Sequence, residues 1–138
     1  MEGTSTQDNI DALIARFFSV FDNRDGAKPH LADLTGCFTE KATIVRRFNT
    51  GTELYTVGEF AAPRIELLTQ GALLEFHEWE ISAATQIFDG IAARISRYCK
   101  TGLLHGNDYS GSGTKCFHLA DMGFGWRISY LAWVDDDA

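Results

Sequence analysis

The sequence predicts an α+β domain in which a cone-shaped, strongly curved antiparallel sheet wraps around N-terminal helices. Three observations predict it. Ile10, Leu13, Ile14, Phe17, Phe18 and Phe21 recur at helical spacing, an apolar stripe broad enough to lie on a sheet. Two long runs rich in β-branched and aromatic residues flank Asp89-Gly90, the two-residue signal for a type I′ hairpin. A second such pair, KCFHLAD and WRISYLAWV, flanks MGFG. Helices gathered at one end of the chain and strands at the other give α+β order, not βαβ alternation.

The elements follow in order. STQDNIDALIARFFSVFDNRDG is an amphipathic helix that Ser5 or Thr6 caps and Asn23 to Gly26 ends. KPHLADLTGCF is a short helix with Pro29 in its first turn and Gly36 as its stop. ATIVRRF is a strand, and NTGTE a turn. Thr56 and Glu59 have capping-box spacing. Pro63 then predicts a tight turn to Ala62 and a regular helix beyond it. Apolar parity slips between Leu74-Phe76 and Trp79-Ile81, which predicts a bulge near His77 and Glu78. TGLLHGNDYSGSGT reads as a glycine-rich loop at a pocket rim. One domain spans 1–138, with polar tails at 1–6 and 135–138.

Composition excludes several function classes. At 138 residues the chain is long enough for one well-buried core. A net charge of −7 disfavours nucleic acid and anionic membrane surfaces, both of which select a basic face. No apolar run reaches the roughly 20 residues that span a bilayer. Cys37, Cys99 and Cys116 are odd in number and lack a C-x-x-C pair, which suits three buried thiols in a reducing compartment. With no basic-then-apolar leader, the expected location is the cytoplasm. Neither a cofactor nor a metal is called for, because His and acidic residues do not recur at ligand intervals.

The segments FFSVFDNRDG with CFTEKATIV, then IAARISRY and GWRISYLAW, resemble the nuclear transport factor 2-like superfamily over roughly 8–135. That cystatin-like cone also hosts ketosteroid isomerases, scytalone dehydratases, limonene epoxide hydrolases and SnoaL-like polyketide cyclases. The resemblance implies a cavity and a dimer built through the sheet. It implies no single activity, since the fold hosts many.

Aligned on ATIV, the isomerase base position falls on Arg46 and the tyrosine position on Phe17; counting back from Ile128, the acid position falls on His118. A guanidinium and a phenyl ring take no proton from carbon, so that set is incomplete. His118 is left as the candidate acid–base residue, and Arg46 as an anion contact. Phe17, Phe21, Arg46, His77, Tyr98, Leu131 and Trp133 are the expected pocket wall. Arg97 is expected to pair with Glu80 across the hairpin. The expected function is a homodimeric pocket protein for a small apolar or amphipathic ligand, without a complete catalytic set. The alternative is a cofactor-independent dehydratase, isomerase or cyclase-like enzyme working by proton transfer. The homodimer expectation rests on surplus apolarity in the last strands: Phe117, Leu119, Trp126, Ile128, Tyr130 and Trp133.

Overall fold

A computed structural model describes residues 5–137. Most of the expected N-terminal tail, residues 1–4, lies outside the described residues, as does Ala138. The first helix, α1 (Thr6–Val20), starts at Ser5, whose hydroxyl accepts the Asp8 N–H. Its whole predicted stripe is buried. A 3₁₀ turn at Arg24–Gly26 leads to α2 (Leu31–Thr35), which His30 starts and Gly36 ends, so Pro29 precedes the helix instead of lying in its first turn as expected. Strands β1 (Phe38–Phe48) and β2 (Gly51–Tyr55) form a hairpin, so the turn is confined to Asn49-Thr50. Helix α3 (Val57–Thr69) opens on the complete Thr56–Glu59 capping box. It runs straight through Pro63, correcting the expected break at Ala62; the ring sits on the exposed side.

Four long strands complete the sheet: β3 (Leu73–Phe88), β4 (Ile91–Leu104), β5 (Asn107–Asp121) and β6 (Trp126–Asp135). The order is β2-β1-β6-β5-β4-β3. Every neighbour pair is antiparallel except β1 and β6, which run parallel. The α+β architecture with its helices on one side of a curved sheet is therefore as expected, with one parallel pair inside it.

Curvature comes from irregular pairing. Glu75 and Phe76 together oppose Gly102, and Glu75 takes φ 49°, so the first β3 bulge lies two residues before the expected place. A second bulge at Ile81 puts Glu80, not Ile81, opposite Tyr98. The glycine-rich segment is not a loop. β4 and β5 continue through it and turn tightly at His105 (φ 50°) and Gly106 (φ 82°). Gly113 serves close approach: a Cβ there would collide with the Tyr98 hydroxyl and the Val134 carbonyl.

The core gathers around Phe17. Its ring meets Phe18, Phe21, Phe38 and Phe117 edge to face, at centroid separations from 5.3 to 6.0 Å. Asn23, buried just past α1, ties three elements together. Its amide donates to the carbonyls of Leu68 (2.9 Å) and Leu73 (2.7 Å), and its oxygen accepts the Phe76 N–H (2.7 Å). The end of α3 and the first β3 bulge are thus locked to α1. The expected acidic tail is also structured: Asp135 closes β6, and Asp136 forms a two-pronged pair with Arg97. Glu80, expected to partner Arg97, is on the inner face with Arg94 at 2.6 Å.

Candidate functional site

A pocket of about 390 Å³ lies between α3 and the concave face of the sheet, within the size range of small-molecule sites. Phe17 of α1, Phe21 just past its end, Phe60, Leu67 and Leu68 of α3, and Leu73 and Phe76 of β3 form its apolar side. The sheet supplies most of the charge: Arg46 from β1, Glu78 from β3, Lys100 from β4, Lys115 from β5 and Asp135 from β6. Glu59, Pro63 and Arg64 from α3, the phenols of Tyr55 and Tyr109, and the Trp133 indole complete the lining.

The charged groups are organised around aromatic rings. Lys115 is 5% exposed; its ammonium sits 3.8 Å from the Tyr98 ring centroid and 3.3 Å from Glu78. Burial, with the Lys100 charge nearby, pulls its pKa below the ordinary lysine value although Glu78 and Asp135 oppose the shift. Asp135 accepts a short hydrogen bond from the Tyr98 hydroxyl and pairs with Lys100 at 3.2 Å, with Arg46 farther off at 3.7 Å. Burial alone would raise this carboxyl's pKa, but Tyr98, Lys100 and Lys115 together hold it below the usual carboxylate range. Burial and the hydrogen bond to Asp135 push the Tyr98 phenol far up, so it stays a donor.

Arg64 is different. Its guanidinium lies 4.4 Å from the Phe60 centroid and 5.1 Å from that of Trp133, and it donates to the Phe60 carbonyl. Among the described residues no carboxylate forms an ion pair with it. Burial and the neighbouring Arg46 charge lower its pKa. Four cationic side chains thus line the pocket against three carboxylates, inside a chain whose net charge is −7.

Of the residues expected from sequence, Phe17, Phe21, Arg46 and Trp133 line this pocket. Tyr98 and Leu131 are fully buried behind the wall, Tyr98 touching the site through Asp135 and Lys115. His77 points to the other face of β3 and stacks on Trp79 at 4.5 Å, its Nδ1 buried without a hydrogen-bond partner. His118 is exposed on the outer face against Tyr130. The expectation that it faces the cavity is overturned by strand alternation: buried Ile128 opposes Leu119, and Phe117 and Leu119 turn inward, so His118 between them turns outward. Among the described residues no histidine lines the pocket.

Sequence reasoning missed Lys100, Lys115, Glu78 and Asp135. A signal existed for two of them. Lys115 shares parity with the apolar Phe117 and Leu119, and Lys100 with Ser96 and Tyr98, so plain alternation turns both inward. Asp135 was hidden inside a run of acids, and Glu78 behind the β3 bulge.

No protein-family model and no curated protein sequence matches the chain. Solved structures do. A Nostoc punctiforme protein of unknown function with a cystatin-like fold superposes at TM-score 0.70 and 16% identity, covering 100% of this chain and 97% of that one. A nuclear transport factor 2-like protein from Novosphingobium aromaticivorans gives 0.71 and 16%, with coverage of 96% and 82%. A hexachlorocyclohexane dehydrochlorinase, LinA type 2, gives 0.75 and 15%, with 95% and 85%. At these identities the likeness speaks for the fold alone.

Proposed function

The chain folds as a nuclear transport factor 2-like cone, and on that premise we propose that it binds a small amphipathic anion in the cone. The body of the ligand rests on Phe21, Phe60 and Phe76. Its anionic group sits between Arg64 and Arg46 near Trp133 and Tyr55. One observation carries this reading: Arg64 is a guanidinium directed to the pocket without an ion-pair partner among the described residues, beside a second arginine. A carboxylate placed there gains charge-assisted, two-pronged hydrogen bonds. The similarity to a dehydrochlorinase supports a pocket open to small molecules, but a histidine base like the expected His118 does not enter this one.

The protein works as a homodimer through the outer sheet face. The residues first expected there are mostly internal, since Phe117, Leu119 and Ile128 are buried. The outer face instead exposes Trp79, Ile95 and Val134 among the small Ala84, Ala93 and Ala132, a low-relief apolar surface suited to a second copy of itself. We place the dimer in the cytoplasm, where its three free cysteines stay reduced. No helix among the described residues is long and apolar enough to cross a membrane.

The test is a titration of Trp fluorescence with phenylacetate and with the neutral 2-phenylethanol. Phenylacetate binds more tightly, and Arg64→Met weakens it by roughly tenfold or more, as loss of a charge-assisted contact does. Equal binding of the neutral analogue, or an unchanged affinity in Arg64→Met, overturns the reading. For the dimer, sedimentation shows Ile95→Glu as a monomer; a wild-type monomer at micromolar concentration refutes it.

A further inference from the structure

The proposed anion site leaves the amine of Lys115 unused. It lies at the base of the pocket, buried on the inner face of β5, with its Nζ 3.8 Å over Tyr98 and 5.3 Å from the Trp133 centroid. A lysine needed only for its charge would reach solvent along its flexible stem. This one stops inside the cavity.

We propose that Lys115 captures the carbonyl carbon of the bound molecule as an imine, so the ligand class is a small aromatic or branched oxo acid. This rests on the anion reading above: Arg64 and Arg46 hold the acid group, and the carbonyl reaches inward to Lys115. The groups facing the amine are Glu78 of β3, Tyr98 and Lys100 of β4, and Asp135 of β6. Burial and the Lys100 charge favour the neutral, nucleophilic amine. Glu78 takes one proton from the ammonium to free the nitrogen lone pair. That pair forms the N–C bond while the carbonyl π pair moves to oxygen. The two protons left on nitrogen depart with that oxygen as water. The proton held by Glu78 returns to nitrogen, giving an iminium paired with the Glu78 carboxylate. Charge and atoms balance without an oxidant or reductant.

The experiment uses the full chain with 4-carboxybenzaldehyde, reduced by cyanoborohydride and mapped by peptide mass spectrometry. The chain has four lysines, Lys28, Lys41, Lys100 and Lys115, which makes the map short. Lys115 carries the adduct at a rate at least about tenfold above Lys28 and Lys41, the gain expected of a positioned amine. Lys115→Arg abolishes that adduct, and Lys41→Arg, outside the pocket, retains it. An adduct spread evenly over the lysines, or concentrated on Lys100, overturns the proposal, and this wild-type measurement decides the matter even if Lys115→Arg misfolds. Phenylacetate separates the two readings. Phenylacetate binding without a Lys115 adduct removes the imine and leaves the anion site. A Lys115 adduct that forms as fast with plain benzaldehyde, and that phenylacetate does not slow, keeps the imine and removes the anion site.

Discussion

Replacing Asp135 by asparagine tests how far one carboxylate organises the cationic side of the pocket. Asparagine keeps the shape and one acceptor for Tyr98, but removes the charge. The hydrogen bond from Tyr98 drops from the charged class, about 1.5–3 kcal/mol, to the neutral class near 1 kcal/mol. The Lys100 pair at 3.2 Å, mostly buried, is lost outright, whereas Arg46 at 3.7 Å and one-third exposed adds little. The expected cost is about 2–3 kcal/mol at pH 7, or roughly 7–10 °C in Tm for a chain of this length. The pH dependence gives a second readout. The Asp135 carboxyl is held below its ordinary value when folded, so as pH falls the unfolded chain takes up this proton first. Its contribution is complete above roughly pH 5 and is lost as pH drops through the folded-state value. Urea denaturation from pH 3 to pH 7 checks both: the wild type loses stability on acidification more steeply than Asp135→Asn, and the curves converge in acid. A variant as stable as the wild type at pH 7, or curves that stay parallel, refutes the assignment of Asp135 as the organising charge.

Asn23→Ala strips partners from two carbonyls and one N–H that are held at 2.7–2.9 Å, and is expected to cost about 3 kcal/mol or more in urea denaturation. A loss under 1 kcal/mol would show that water replaces the amide. Gly113→Ala forces a methyl group into the Tyr98 hydroxyl and the Val134 carbonyl, with an expected loss of about 1–3 kcal/mol by thermal melt; an unchanged Tm refutes the close approach. His118→Ala, on the exposed outer face, leaves phenylacetate affinity unchanged in the fluorescence titration. A change of tenfold would return His118 to the cavity.

Much of the architecture was readable because it rests on local rules. The α1 stripe, the Thr56–Glu59 box and the Asp89-Gly90 hairpin each follow from spacing within a few residues, and each stands in the structure. Only Gly90 of the two turn residues takes positive φ, however, so the turn is not the expected type I′. What failed to read depends on pairing between distant strands. His118 was placed by its chain distance from Ile128, but Ile128 opposes Leu119, so His118 beside it faces out while Lys115, in phase with Leu119, faces in. The Gly102–Gly113 segment carries the composition of a loop, yet two of its glycines are demanded by other strands: Leu74 and Phe76 crowd Gly102, and Tyr98 and Val134 crowd Gly113. The pocket was only partly legible for the same reason. Its apolar wall announces itself by periodicity, while its charges come one from each of several strands.

The placement of β6 has a consequence for how the molecule is made. It follows every other strand in sequence but lies third in the sheet, wedged between β1 and β5. Until it arrives, the β1–β2 ribbon and the β3–β5 meander cannot join, and Trp133 and Asp135 are missing from the pocket. Assembly must therefore close a loop of some eighty residues or more between β1 and β6, a separation that slows folding. During synthesis the half-formed sheet waits with two open edges, the interval in which aggregation competes most strongly with completion.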